Sequence, residues 1–252
     1  MREAGKIAAE TLEVLRDHTK PGVSTAELNA LAHQVITKRN AVSAFKGYRG
    51  SRGAPNFPAE ICTSINDEVV HGIPSKNRVL KEGDILSVDV GAVYKGYIGD
   101  TAATIPVGII SDDAKKLLEV TQGALAAGIS KAHAGNFLED ISAAIQDYAE
   151  TRGYSVVREY VGHGVGRTMH EEPQIPNFVD AKMNQKLKPG MTLAIEPMVN
   201  AGAADVKILK DGWTVVTQDG SLSAHFEHTV LVTGSGPEIL TWVKTPSELK
   251  AA

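Results

Sequence analysis

The chain has 252 residues, of which 42% are hydrophobic and 22% charged, as is ordinary for a soluble globular protein. Its net charge of −4 gives no reason to expect a nucleic-acid groove or a polybasic membrane surface. A single cysteine, Cys62, excludes an internal disulfide framework and favours a reducing compartment. No apolar run reaches the ~18 residues that a membrane span requires. Composition therefore predicts a cytoplasmic protein with no membrane segment and no nucleic-acid motif.

The first half of the chain is predicted to contain two helices and then strands. Ser24 and Glu27 have the spacing of a capping box, which begins the second helix. A turn centred on Lys95 and Gly96 joins the last two strands into a hairpin. In order, the predicted elements are helices over 2–18 and from Ser24 to about residue 40, short strands over 60–66 and 68–70, and the hairpin over 85–107.

The second half repeats this order of elements, and Gly22 of the first half aligns with Gly135 of the second. A strong turn signal at Asp219-Gly220 joins its last two strands. In order, the predicted elements are helices from Ser111 to about 132 and over 137–151, strands over 155–161, 191–199, 214–217 and 221–233, and a loose tail over 246–252.

This repeated order predicts a single domain over residues 1–252 with an α+β fold and two pseudo-symmetric halves, about 1–107 and 108–240. Helices would cover the outer face of a curved, mostly antiparallel sheet. A nucleotide-binding fold is the alternative, because the segment GHGVG at 162–166 follows a predicted strand. Pro173 and Pro176 follow that segment closely and prevent it from opening a regular helix, so this alternative is rejected.

The hairpin over 85–107 carries Asp89 and Asp100, one in each strand, among apolar residues. The prediction makes the two carboxylates direct cross-strand neighbours, with Cβ atoms roughly 4.5–5.5 Å apart. Two like charges in an apolar sheet are costly unless a cation or a proton lies between them. A solvated surface hairpin with two exposed acids is the alternative interpretation.

The second half adds Glu196 and Glu227, each within an apolar, strand-like run, and His163 between two glycines. Either glutamate alone would be interpreted as a partly buried acid with a hydrogen-bond partner. Together with Asp89 and Asp100 they make a set of carboxylates and neutral imidazole that suits first-row transition metals. Two divalent ions would balance the four carboxylate charges and create a hydrolytic centre. A thermolysin-like single-zinc site is not supported, because the chain has no HExxH motif.

Long motifs of this chain resemble type I methionine aminopeptidases, and the resemblance covers nearly all of its length. The motifs are SINDEVVHGIP, SVDVGAVYKGYIGDTAAT, VREYVGHGVGRTMHEEPQIPNF, MTLAIEPMVNAG and KDGWTVVTQDGSLSAHFEHTVLVT. The resemblance implies the pita-bread fold, which creatinase shares. It also implies removal of the initiator methionine from nascent proteins and peptides with a small second residue.

The resemblance implies two divalent metal ions and a set of five ligands, with cobalt, manganese, iron and zinc all suited to them. The residues that match these ligands are Asp89, Asp100, His163, Glu196 and Glu227. By that resemblance Asp100 and Glu227 bridge both ions, Asp89 holds one ion, and His163 and Glu196 hold the other. The native metal stays open.

The same resemblance implies that His71, His170 and Glu196 are catalytic. His71 and His170 would orient the substrate and stabilise the tetrahedral intermediate, while Glu196 would also carry a proton. The alternative for a lone loop histidine is a solvated surface residue, and the motif match favours the catalytic interpretation. The residues that match the substrate pocket are His71, Phe57, Cys62, Met169, His170 and Trp213.

The chain departs from the family at a few positions of the methionine pocket. Ser51, Ala54 and Met169 stand where cysteine, tyrosine and an aromatic residue are common. We expect these departures to change the shape of the pocket, and Met169 to add a soft, adaptable wall. His225 stands where glutamine is common, and we expect it to contact a metal ligand rather than the metal.

Sequence features argue against three other classes of protein. A proline-specific peptidase of the same fold usually carries a separate N-terminal domain, whereas two helices and a loop fill the residues before His71. A type II methionine aminopeptidase would carry a long insertion between Glu196 and Glu227. A catalytically dead binding protein would have lost a ligand. The resemblance implies a monomer that acts on nascent polypeptide N-termini, and a transient contact with the ribosome stays open.

Overall fold

The computed structural model describes residues 1–50, 53–180, 182 and 184–242, so the predicted loose tail at 246–252 lies outside the described residues. The helices are α1 (Arg2–His18), α2 (Thr25–Lys38), α3 (Asp112–Ile129) and α4 (Leu138–Glu150). The strands are β1 (Val42–Ser43), β2 (Cys62–Ile65), β3 (Glu68–Val70), β4 (Ile85–Tyr94), β5 (Tyr97–Pro106), β6 (Ser155–Val156), β7 (Gly162–Gly164), β8 (Glu171–Ile175), β9 (Thr192–Ile195), β10 (Met198–Asn200), β11 (Val206–Ile208), β12 (Val215–Thr217), β13 (Ser223–His225), β14 (Glu227–Thr233) and β15 (Gly236–Ile239). Within the described ranges, no helix is long and apolar enough to cross a membrane.

Each half of the fold begins with a pair of helices, and one helix of each pair, α2 and α3, starts at a serine cap. The Glu27 N–H donates to Ser24 Oγ at 3.3 Å, and the Ser24 N–H donates to Glu27 Oε2 at 2.8 Å, which confirms the predicted capping box of α2. Ser111 begins α3 by accepting a hydrogen bond from the Ala114 N–H. The four helices contribute Leu15, Leu28, Leu117 and Ile141 to one hydrophobic core.

The central sheet has nine strands in the order β1-β4-β5-β14-β9-β7-β8, with β2 beside β4 and β15 beside β14. Its pairings are antiparallel. Because side chains alternate along a strand, Leu86, Val88 and Val90 of β4 join the helix-side core, and Asp89 and Gly91 lie on the opposite face. The predicted α+β fold, with helices on one face of a mostly antiparallel sheet, is confirmed.

Two strands that the sequence predicts as continuous are each divided in the structure. Glu196 and Pro197 separate β9 from β10, and Phe226 separates β13 from β14. The β9 and β14 strands pair in the central sheet, whereas β10 and β13 pair in a separate three-stranded sheet. Pro197 has no N–H for a ladder hydrogen bond, which favours a break there. Because the register is the same on both sides of the break, Glu196 lies opposite Glu227 where the strands change sheets.

Candidate metal centre and substrate pocket

A row of residues crosses four neighbouring strands on the sheet face opposite the helices. Cys62 of β2 pairs with Asp89 of β4, Asp89 pairs with Ala102 of β5, and Ala102 pairs with Glu227 of β14. The two acids of this row are therefore separated by one strand, and that strand presents only the methyl group of Ala102. This small side chain leaves open space between the carboxylates.

A second row lies two residues along the same strands. Gly91 pairs with Asp100, and Asp100 exchanges hydrogen bonds with Thr229, whose hydroxyl accepts from the Asp100 N–H at 3.0 Å and donates to the Asp100 carbonyl at 2.8 Å. Thr229 pairs with Ala194, which in turn pairs with His163 of β7. The second row therefore brings an aspartate and a histidine to the same cluster from opposite halves of the chain.

The predicted direct pairing of Asp89 and Asp100 is wrong. Asp100 pairs with Gly91 rather than with Asp89, because the two-residue turn at Lys95 and Gly96 makes Tyr94 and Tyr97 its closing pair. The turn itself is confirmed, and both of its residues have positive φ, at 50° and 76°. The aspartates are diagonal neighbours, with backbones roughly 7–8 Å apart. This spacing leaves more room between the carboxylates than a direct pair would.

The predicted ligand side chains converge at one point. Asp100, His163 and Glu227 each offer a ligand atom within 4.8 Å of the others. His163 Nε2 lies 3.3 Å from Glu196 Oε1 and 3.8 Å from Asp100 Oδ2. The other ring nitrogen of this histidine, Nδ1, lies 3.0 Å from the Gly164 carbonyl oxygen, which leaves Nε2 to face the acids. Such an outer hydrogen bond is typical of a metal-binding imidazole.

One oxygen of each of the four acids is buried and has no hydrogen-bond partner among the described residues. These oxygens are Asp89 Oδ1, Asp100 Oδ1, Glu196 Oε1 and Glu227 Oε1. Buried polar atoms without partners are rare in folded proteins and require an explanation. Carboxylate oxygens and a neutral imidazole nitrogen are ligands of divalent first-row metals, so this cluster fits such ions.

The pKa shifts of the cluster also favour a bound divalent cation. Desolvation, followed by the negative charge of neighbouring carboxylates, raises the pKa of Asp89, Glu196 and Glu227 well above the usual range. Desolvation also raises the pKa of Asp100 to about 7, although a hydrogen bond with Glu227 opposes the shift. Desolvation lowers the pKa of His163 to about 4, so this imidazole is neutral near pH 7 and its lone pair is free. A divalent cation would relieve the repulsion between the acids.

A cavity of about 120 Å³ ends on this cluster. Its walls contain the predicted pocket residues Phe57, Cys62, His71, Met169, His170 and Trp213, together with all five predicted ligands. Phe57 and Trp213 pack edge to face with ring centroids 5.1 Å apart, and the Trp213 Nε1–H donates to the Pro55 carbonyl at 2.8 Å. The structure therefore brings every predicted site residue to one place.

Two wall residues, Phe45 and Tyr48, were missed in the sequence, whereas Ala54 is not among the lining residues. Ser51 lies outside the described residues. The signal for Phe45 is Gly91 of β4, because a Cβ atom at Gly91 would come within 2.8 Å of the Phe45 ring. A glycine inside an apolar strand marks a close approach by another group.

Tyr48 contacts the predicted catalytic residue His170. Its hydroxyl lies 2.6 Å from His170 Nδ1, and partial burial raises the pKa of the phenol. We assign the hydroxyl as the donor, which leaves the proton of a neutral His170 on Nε2. His170 also packs edge-on against His163, with ring centroids 4.3 Å apart.

We expect Tyr48→Phe to lower kcat by about 10-fold, with little change in KM, on the methionyl peptides that the motif resemblance implies as substrates. The substitution keeps the ring and releases the orientation of His170. Steady-state kinetics check this result. Tyr154→Phe removes a phenol outside the cavity and is the matched control. A large rise in KM with unchanged kcat would indicate that Tyr48 serves only as pocket wall.

His71 has an unusual backbone conformation. Its φ angle is 61°, in the left-handed region that few non-glycine residues adopt. Its ring packs edge-on against Tyr160 and Trp213, and desolvation lowers its pKa to about 4. Such backbone conformations concentrate at functional sites. A neutral imidazole held in this way can donate a hydrogen bond from one ring nitrogen.

Comparison with known proteins agrees with this geometry. The model of metallopeptidase family M24 matches residues 1–234. The chain is 57% identical to methionine aminopeptidase 1 of Bacillus subtilis, with 96% of this chain and 95% of that protein covered. It is 56% identical to a methionine aminopeptidase of Clostridium acetobutylicum, with 96% and 94% covered. A crystal structure of methionine aminopeptidase from Thermotoga maritima superposes with a TM-score of 0.92 at 47% identity, covering 96% of this chain and 95% of that one.

These matches extend over nearly the full length of both partners, and the fold they share is the pita-bread fold expected from the motifs. The alternative of a nucleotide-binding fold is excluded by the antiparallel sheet. The chain belongs to metallopeptidase family M24 and, within it, to the methionine aminopeptidases.

Proposed function

We propose that this protein is a metal-dependent methionyl aminopeptidase that removes the N-terminal methionine from nascent proteins and peptides with a small second residue. One observation carries the proposal. A single cavity has apolar walls, including Phe57, Met169 and Trp213, and ends on the cluster of carboxylates around His163. A long, flexible apolar side chain fits such walls, and the bond beyond it then lies against a hydrolytic centre.

Two divalent ions are proposed for the cluster, drawn from cobalt, manganese, iron and zinc. Asp100 and Glu227 would bridge them, Asp89 would hold one ion, and His163 and Glu196 would hold the other. The orphaned buried oxygens of the four acids support this assignment. When bound, ions of this kind act as Lewis acids on a carbonyl group and lower the pKa of water, which supplies a nucleophile.

The side chains around the cluster would then orient the substrate and move its protons. Glu196 would accept a proton from the attacking water and deliver it to the leaving nitrogen. His170, with its proton on Nε2, would donate a hydrogen bond to the developing oxyanion. His71, which also lines the cavity, would donate a hydrogen bond to the peptide. Its low pKa keeps it neutral near pH 7, so it does not add positive charge beside the metal ions.

Nascent polypeptides at the ribosome are the proposed substrates in the cell, which implies action in the cytoplasm. A monomer is proposed on the resemblance to the family. A transient contact with the ribosome would deliver those substrates. The low net charge and single cysteine of the chain agree with a cytoplasmic enzyme.

The proposal is tested by loading metal-free protein separately with Mn²⁺, Co²⁺, Fe²⁺ or Zn²⁺ and assaying peptides. We expect methionine to be released from Met-Ala-Ser, and much more slowly from Met-Lys-Ser, because the second residue must be small. Ala-Pro is the comparison for a proline-specific peptidase. Faster cleavage of Ala-Pro, or no release of methionine with any of the metals, would contradict the proposal.

A further inference from the structure

His225 is a buried histidine beside the cluster whose role neither the fold nor the proposed ligand set explains. It is 1% exposed and lies at the end of β13, two residues before Glu227. Thr104 holds its backbone on both sides, because its hydroxyl accepts from the His225 N–H at 2.8 Å and donates to the His225 carbonyl at 3.0 Å. The position of this histidine is therefore set by the neighbouring strand β5.

The ring of His225 faces Glu196. Its Nε2 lies 3.8 Å from Glu196 Oε2 and has no hydrogen-bond partner among the described residues. The other carboxylate oxygen, Glu196 Oε1, lies 3.3 Å from His163 Nε2. Glu196 therefore lies between two imidazoles, each of which approaches a different oxygen. A buried ring nitrogen without a partner is costly, and shortening this distance by roughly 0.6–0.9 Å would form a hydrogen bond that satisfies it.

The geometry argues against His225 as a further metal ligand. Among the described residues, Glu196 is the only acid with an oxygen within 4.0 Å of a His225 ring nitrogen. Its nearest recorded acidic atom is Glu196 Oε2, the oxygen that does not approach His163. The carboxylate of Glu196 thus lies between this ring and the cluster.

We propose that His225 is a positioning residue for Glu196. In the metal-loaded protein its Nε2–H donates a hydrogen bond to Glu196 Oε2, which reserves Oε1 for the ion shared with His163. This hydrogen bond holds in one orientation the carboxylate that carries the proton during peptide cleavage. The inference rests on the proposed function, and it assigns a role to a residue of this chain that stands where glutamine is common in the family.

The first test reads the proton position directly. Zn²⁺-loaded protein with ¹⁵N-labelled histidine is measured by long-range ¹H–¹⁵N NMR, with the His225 signals assigned from their loss in His225→Gln. We expect a neutral ring with the proton on Nε2. An unprotonated Nε2, either free or bound to zinc, would overturn the proposal. The proton position is read in the unaltered chain, and the measurement needs no turnover.

The second test compares two substitutions. His225→Leu fills the space without a donor, and we expect kcat on Met-Ala-Ser to fall about 10- to 100-fold while KM changes little. His225→Gln restores an N–H donor and should recover much of the lost kcat. His133→Gln, at an exposed histidine, is the control for histidine replacement. Equal losses of kcat in the Leu and Gln variants would overturn the proposal.

Calorimetric titration of Zn²⁺ into the metal-free variants supplies a readout that does not depend on turnover. We expect His225→Leu to keep the metal stoichiometry of the unaltered chain and to bind one ion more weakly, because Glu196 loses its fixed orientation. Loss of one whole equivalent of metal would overturn the positioning role in favour of ligation. Failure of the unaltered chain to release methionine would contradict the proposed function instead, and would leave the NMR result on His225 standing.

Discussion

Replacing Asp100 by asparagine is expected to abolish methionine release and to stabilise the metal-free protein. Asp100 is 2% exposed and shares the cluster with His163 and Glu227, so the substitution removes a proposed bridge between the two ions. In the metal-free protein the same carboxylate destabilises the folded state near neutral pH, because desolvation raises its pKa to about 7. An amide of the same shape removes that ionisation and its repulsion with neighbouring acids.

The stabilisation has a defined pH dependence. An aspartate in the unfolded chain loses its proton near pH 4, whereas folded Asp100 loses it near pH 7. Between these values the folded state binds more protons, so this residue lowers the free energy of unfolding as pH rises. We expect Asp100→Asn and the unaltered chain, both metal-free, to melt at similar temperatures near pH 4. As pH rises towards 7, the metal-free variant should become progressively more stable than the metal-free unaltered chain.

Differential scanning calorimetry on chelator-treated protein, together with metal analysis and the peptide assay, checks each part of this prediction. Asp113→Asn, at an exposed acid in the first turn of α3, is the matched control and should change neither turnover nor metal content. Normal turnover with full metal content in Asp100→Asn would contradict the ligand assignment.

Removal of the metal from the unaltered chain is expected to abolish activity and to lower its melting temperature near pH 7.5. At that pH His71 and His163, with folded pKa values of about 4, are neutral in both the folded and unfolded states. The carboxylates whose pKa values are raised therefore dominate the pH dependence. Divalent ions bind the folded cluster and relieve its repulsion.

The size of this effect follows from mass action. A metal at 100 times its Kd stabilises the folded state by about 2.7 kcal/mol. For a domain of this size that corresponds to a rise in Tm of roughly 5–10 °C, on the scale of about 2–4 °C per kcal/mol. Titration of chelated protein with Mn²⁺ followed by thermal melting checks it, and Mg²⁺, which prefers oxygen ligands and octahedral geometry, is the comparison ion. Melting temperatures that do not respond to Mn²⁺ would contradict a metal centre in this cluster.

Two local features, the start of α2 and the hairpin turn, were predicted correctly from the sequence. The capping box of Ser24 and Glu27 and the turn at Lys95 and Gly96 depend on residues within a few positions of one another. The types of side chain at the site were also evident, because acids within apolar strands are unusual wherever they occur. Long motifs then connected the five candidate ligands with one family.

Errors arose where two distant segments meet. Direct pairing of Asp89 and Asp100 was wrong by two residues of the register, because the turn closes on Tyr94 and Tyr97 and so pairs Asp89 with Ala102. Phe45 was missed because its place in the pocket wall involves a close approach to Gly91 of β4, which is distant in the sequence. The pattern of apolar and polar residues along either segment does not predict the contact between Phe45 and Gly91.

The sequence by itself determined the chemistry of the site: which side chains are acids, which are imidazoles, and which apolar strands carry them. Only the tertiary structure decided their distances, because those depend on pairings between strands far apart in the chain, such as the contact between Asp100 and Thr229, 129 residues later. Likewise, the sequence predicts one strand through Pro197, and only the tertiary structure shows that β9 and β10 on either side of it belong to different sheets. Hydrogen-bond ladders between distant strands set the geometry of the cluster, and local patterns cannot encode their register.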